Sequence, residues 1–211
     1  VVSGVWWINL FNFMDGIDGI AAVQAASMAA VAAILIAWQN PAAMDQPLWL
    51  FLWCLVAGTL GFLLLNWSPA RIFMGDVGST WLAFSLFAIA LLTVQHGWLS
   101  YGCWMVLASV FVIDASVTLV VRMWRGERWY QAHRSHAYQR LSRRWPGGRQ
   151  SGHRGVSLLV LAVNAAWLAP LAAAMETLPA YGWLWLGLAW LPLVVVVLYL
   201  GAGMPDDGRD S

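Results

Sequence analysis

Lysine is absent from this 211-residue chain, and all 11 of its basic residues are arginine. Charged residues of either sign make up only 10% of it, well under half of the roughly 25% usual in soluble domains. So little charge cannot cover a large soluble core. The apolar windows are also hydrophobic all round, whereas surface helices confine their apolar residues to one stripe. A soluble α-helical domain is thereby excluded. Only two cysteines occur, Cys54 and Cys103, each inside an apolar run. That excludes a disulfide framework and any cysteine-spaced metal site. The net charge of +1 points to no polyanionic partner, and nucleic acid is not expected.

What the chain has is hydrocarbon: 61% of its residues are hydrophobic and 16 are tryptophan. Several windows reach the roughly 20 apolar residues that cross a bilayer. Spans are expected near Ile20–Trp38, Leu48–Trp67, Thr80–Gln95, Tyr101–Val121, Val156–Met175 and Trp183–Leu200, with Val1–Asn12 as the end of one more helix. Tryptophans gather near the ends of these spans, as in an interfacial aromatic belt. The expected fold is all-α, a polytopic helical membrane protein of about six full spans. Residues 1–203 would form one membrane domain and 204–211 a short polar tail. The chain opens on Val without a charged leader, which is unlike a signal peptide; further helices are expected ahead of residue 1.

The arginines orient it. With the turn at Asp15 inside, the segments Asn40–Pro47, His96–Ser100 and Glu176–Tyr181 fall outside, and none contains a basic residue. Every arginine then lies on the inner side, as the positive-inside rule requires. The same assignment gathers three polar segments on that side: the Asp15/Asp18 turn, the Asn66–Ser79 loop and the Arg122–Gly155 loop.

The first of these reads Asn9-Leu-Phe-Asn12-Phe-Met-Asp15-Gly-Ile-Asp18-Gly. Carboxylates at a membrane boundary are costly and mark function by default. The two Asp-Gly steps break helical continuity and can present acids and backbone amides to a cation or a phosphorylated ligand. In the second segment Asp76 sits between Gly75 and Gly78 just ahead of a span, suited to a hard cation or, alternatively, to capping the next helix. The third, Gln131-Ala-His133-Arg134-Ser135-His136-Ala-Tyr138-Gln139-Arg140, is a cluster of donors suited to phosphate oxygens. Asp114 lies within the fourth span, about 12 Å from Arg122 by helical rise, in a lining or supporting role. His153 falls in a connecting segment and is expected to be solvated, and Asn164 is expected to hydrogen-bond between helices.

In this order the motifs resemble the polyprenyl-phosphate N-acetylhexosamine-1-phosphate transferases. The matches are N-x-x-N-x-x-D-G-x-D-G at Asn9–Gly19, N-x-x-P-A with F-M-G-D-V-G-S at Asn66–Ser79, and H-R-S-H-A-Y-Q at His133–Gln139. The resemblance implies transfer of a sugar-1-phosphate from a UDP-N-acetylhexosamine to a polyprenyl phosphate, with UMP released at the cytoplasmic face of a bacterial inner membrane. It implies a Mg²⁺ cofactor, with Mn²⁺ as an alternative, and Asp76 as metal ligand. Asp15, Asp18, Asp76, His133 and His136 form the expected catalytic set. Asn9, Asn12, Asn66, Phe73, Arg134, Arg140 and Asp114 are the expected substrate-binding residues. Among these, Asn66 and Phe73 would hold the uracil, and His133, Arg134 and His136 the diphosphate. The His-Arg-Ser-His form is closer to the enzymes that initiate O-antigen than to the peptidoglycan branch. The family's upstream Asp-Asp pair is expected before Val1, since Asp206-Asp207 lies in the tail. A transporter, a lipid-phosphate-binding protein and an inactive fragment are the competing readings, and a homodimer is an open alternative.

Overall fold

The structure is a computed structural model of the chain, and it describes residues 1–127 and 134–205. Those residues form helices joined by turns: α1 (Val2–Phe13), α2 (Ile20–Gln39), α3 (Pro47–Asn66), α4 (Gly75–Gln95), α5 (Tyr101–Leu107), α6 (Ser109–Trp124), α7 (Ala137–Arg144), α8 (Gly148–Val163), α9 (Ala169–Thr177) and α10 (Gly182–Tyr199). Five stretches are long and apolar enough to span a bilayer, with α8 and α9 counted as one, and six if the bent pair α5–α6 is a span. This is the expected all-α, multi-pass architecture.

Helix α2 lies at the centre, against α3, α4 and α8. Its alanines Ala21, Ala25, Ala29, Ala32 and Ala33 are fully buried. Small side chains let helix backbones approach closely where apolar area gives no preference for protein over lipid. On its other flank α4 packs on α1, fixed by Trp7 Nε1, which donates to Ala83 O at 2.8 Å.

Two departures from the expected spans have physical causes. Residues Tyr101–Val121 are not one straight helix: α5 and α6 meet at Ala108 with a bend of 74°. A break in hydrocarbon frees backbone carbonyls that something must satisfy. Here buried Gln24 Nε2 donates to Leu107 O at 3.0 Å, and Asn164 Nδ2 donates to Gln24 Oε1 at 2.8 Å. That is the inter-helix role expected of Asn164. Second, the arginine-rich loop is partly helical. It contains α7 and the first two turns of α8, which begins at Gly148 although the apolar run starts only at Val156. A π-turn, Asn164–Leu168, joins α8 to α9 just before Pro170, whose missing N–H breaks the ordinary ladder.

Because the spans alternate in direction, the α1–α2 turn, the α3–α4 loop and the α6–α8 segment share one end of the bundle. At the opposite end Glu176 Oε1 accepts from Ser100 N at 2.8 Å and from Ser100 Oγ at 2.6 Å, tying two of the arginine-free segments together.

Candidate active site

The α1–α2 turn is held by groups from the two other polar segments. Gly19 adopts φ 81° as the N-cap of α2, a conformation suited to glycine. Its N–H donates to Asn66 Oδ1 at 2.9 Å, while Asn66 Nδ2 donates to Ile72 O at 2.8 Å. Asn66 is thus a buried clamp between the turn and the α3–α4 loop, with both ends of its amide engaged. Gly16 lies against α7: a Cβ there would overlap the Tyr138 hydroxyl. That hydroxyl donates to Phe13 O at 3.1 Å.

Three acids mark the turn and the start of α4. Asn12 Nδ2 donates to Asp76 Oδ1 at 3.1 Å and to Ser79 Oγ at 2.8 Å, joining α1 to α4. Asp76 is exposed in the first turn of α4, where the helix dipole favours an anion. Burial, and then the negative charge of Asp76, push the Asp15 carboxyl up to about 7. Partial burial also acts to raise Asp18. Hydrogen bonds from His153, Ser68 and Ala70, with the electrostatic pull of His153, outweigh it and hold Asp18 below the ordinary carboxylate range.

The donor set suits a hard divalent cation. Mg²⁺ uses one or two protein carboxylates together with water and substrate phosphate oxygens, and the mutual repulsion of Asp15 and Asp76 is what such an ion relieves. No cluster of three or more His, Cys, Asp or Glu able to hold a metal occurs among the described residues.

The third segment is organised by Asp114. Its Oδ1 accepts from Ala137 N at 2.9 Å and from Thr118 Oγ1 at 3.1 Å, and its Oδ2 from Tyr138 N at 2.9 Å. His136 Nδ1 lies 3.3 Å from Oδ1. The carboxylate satisfies the first free N–H groups of α7, which any helix leaves without an internal partner. Asp114 is buried and holds the start of α7. His136 is buried too, forming a capping box with Gln139 and stacking on Tyr138. Arg140, expected to bind substrate, is turned inward, donating to Leu200 O at 3.0 Å and to Met204 O and Pro205 O at 3.1 Å each. Those carbonyls follow the last turn of α10 and have no helical donor, which explains why the guanidinium sits there.

Asn9, one turn before Asn12, is exposed, as are Arg134 and Phe73, the latter at 75%. His133 lies outside the described residues. His153 is the site residue the sequence reading missed. It is buried, with Nδ1 at 3.2 Å from Asp18 Oδ2. Its partner precedes it by 135 residues, so no local pattern signals the pair. The adjoining Arg154 donates to Ser68 O at 2.6 Å.

The glycosyl transferase family 4 model matches residues 1–94, which carry the first two motifs. The phospho-N-acetylmuramoyl-pentapeptide-transferase of Listeria monocytogenes serotype 4b (strain CLIP80459) is 47% identical over 73 residues, 34% of this chain and 21% of that protein. The one from Rippkaea orientalis is 36% identical over 120 residues, 57% of this chain and 30% of that protein. A probable undecaprenyl-phosphate N-acetylglucosaminyl 1-phosphate transferase of Bacillus subtilis strain 168 is 31% identical over 88 residues, 41% of this chain and 25% of that protein. These matches span between about a fifth and a third of the relatives' length. Two of the motifs that meet in the fold thus lie inside the region that is similar to glycosyl transferase family 4.

Proposed function

We propose that the chain serves a transferase that moves a sugar-1-phosphate from a UDP-N-acetylhexosamine to a polyprenyl phosphate and releases UMP. The observation that carries this reading is the contact of three segments far apart in sequence at one end of a membrane bundle: Asn12 with Asp76, Gly19 with Asn66, and Tyr138 with Phe13. A lipid acceptor stays in the bilayer while a nucleotide sugar arrives from water, so the reaction belongs at that boundary. The arginine distribution favours the cytoplasmic side.

The lipid phosphate oxygen attacks the β-phosphorus and forms a new P–O bond. The bond from the β-phosphorus to the bridging oxygen breaks, and its electrons leave with UMP. Asp76, facing Asp15, would hold Mg²⁺, which when bound supplies charge neutralisation at the phosphate oxygens. Asp15, whose carboxyl is raised above the ordinary range chiefly by burial, would take the remaining proton from the acceptor phosphate. Exposed Arg134 offers a planar donor to the diphosphate, and exposed Phe73 a face for the uracil. A covalent aspartyl route is the mechanistic alternative; a lack of any burst or exchange of labelled UMP without acceptor would reject it.

On the finer question of pathway, the His133–His136 form favours initiation of O-antigen or a similar lipopolysaccharide glycan, although several named relatives are pentapeptide transferases. The test is UMP release by membranes containing the protein and undecaprenyl phosphate, with UDP-N-acetylglucosamine against UDP-N-acetylmuramoyl-pentapeptide. Release that needs Mg²⁺ and is lost in Asp76→Asn supports the proposal. Full activity of Asp76→Asn, or no release with any UDP-sugar, overturns it.

A further inference from the structure

The N-terminal turns of α8 grip the second Asp-Gly step from beneath. His153 and Ser157 lie four residues apart on one face of α8. Ser157 Oγ donates to Asp18 O at 2.9 Å, and His153 Nδ1 faces both Asp18 N, at 3.3 Å, and Asp18 Oδ2, at 3.2 Å. The neighbouring Arg154 fastens the α3–α4 loop through Ser68 O, and Asp18 Oδ2 accepts from Ala70 N in that same loop at 3.3 Å. Asp18 is therefore the point where three chain segments are locked together. His153 is the buried titratable member of that lock.

The geometry at Nδ1 is specific. A ring nitrogen accepts from an N–H only when it carries no proton, and donates to a carboxylate only when it does. The two contacts of Nδ1 thus belong to alternative states of the ring, and in each of them the imidazole holds Asp18. In one it holds the backbone N–H; in the other it holds the side chain. Nε2 has no part in either contact.

We infer that His153 is a positioning residue for the Asp15–Gly19 turn, acting through Asp18 by its Nδ1 edge alone. This rests on the transferase reading above for its catalytic consequence, but not for its structural one. Asparagine places an amide atom near the Nδ1 position, whereas glutamine places one near Nε2. His153→Asn is therefore expected to preserve the lock, while His153→Gln and His153→Ala lose it.

The test combines hydrogen–deuterium exchange with turnover, on the purified protein in lipid nanodiscs. Exchange in peptides covering Asp15–Gly19 should rise in His153→Ala and His153→Gln, stay near wild type in His153→Asn, and remain unchanged in α2 and α4 in all three. In the same samples kcat for UMP release should fall on the order of 10- to 100-fold in the Gln variant, with KM for polyprenyl phosphate little altered, and recover in the Asn variant. Should His153→Ala fail to fold, the Asn and Gln variants alone decide. Exchange unchanged in the turn, or raised throughout the molecule, overturns the inference, as does equal behaviour of Asn and Gln. If the exchange pattern holds but wild type releases no UMP, the positioning role stands and the proposed function fails.

Discussion

Asn12 reaches from the last turn of α1 to Asp76 on α4, with 3.1 Å between its Nδ2 and the Asp76 Oδ1. The same amide bonds Ser79, so one side chain orients the exposed acid that the proposed chemistry needs most. Asn12→Ala should weaken Mg²⁺ activation by roughly 10- to 100-fold, the usual effect of losing a group that orients a metal ligand. A Mg²⁺ titration of UMP release reads this directly, and an unchanged midpoint would show that Asp76 is placed without Asn12.

Asp114 anchors α7 by its first two N–H groups. Asp114→Ala leaves the Ala137 and Tyr138 N–H groups buried without this acceptor, a change expected to cost roughly 1 to 3 kcal/mol for each. Helix α7 should then detach before the spans unfold. Limited trypsin digestion would detect it as faster cleavage at Arg140, Arg143 and Arg144, while Asp114→Asn, which keeps one acceptor oxygen, should cleave at an intermediate rate. Equal cleavage of wild type and Asp114→Ala rules out the anchor.

The Asp15 carboxyl stands at about 7 in the folded chain against an ordinary 3.8. Between those values the folded state keeps a proton that the unfolded chain has released, so stability declines as pH rises through that window. The penalty is absent below about pH 3.8 and complete above about pH 7. Asp15→Asn abolishes it. In metal-free buffer the variant should melt above wild type at pH 8, and the gap should close toward pH 4. A gap of the same size at both pH values would mean that Asp15 does not titrate against burial and Asp76.

Phe73 is exposed at 75% in the loop that Asn66 clamps. If it stacks on a uracil, Phe73→Ala should remove about 1–3 kcal/mol of base stacking. That corresponds to a KM for the UDP-sugar raised roughly 5- to 150-fold with kcat less affected. Phe73→Tyr should stay near wild type. A KM unmoved by the Ala variant takes Phe73 out of the nucleotide site.

Much of the fold was legible because the bilayer constrains it. The spans at Leu48–Trp67 and Trp183–Leu200 fall within a residue of α3 and α10, since length and apolarity alone define them. The bend at Ala108 was not legible, because Tyr101–Val121 reads as one unbroken apolar run. What permits the bend is Gln24, more than eighty residues earlier, satisfying Leu107 O. Helix α7 was hidden for a similar reason: beside the local His136–Gln139 capping box, its start depends on Asp114 from another helix. The acids of the site were legible, since carboxylates and Asp-Gly steps at a membrane boundary stand out against hydrocarbon. The division of labour among their neighbours was not.

By itself the amino-acid order determined which stretches are long and apolar enough to cross a membrane and which polar segments fall between them. These follow from solvation free energies that depend on composition and local length. Only the tertiary structure decided that Asp18, Asp76 and Asn12 face one another's segments while Asp114, His136 and Arg140 turn inward. A side chain's role depends on its partner, and the deciding partners lie far off in sequence, 22 residues away for His136 and Asp114 and 135 for His153 and Asp18. Separations of that size are bridged by packing and leave no trace in local pattern.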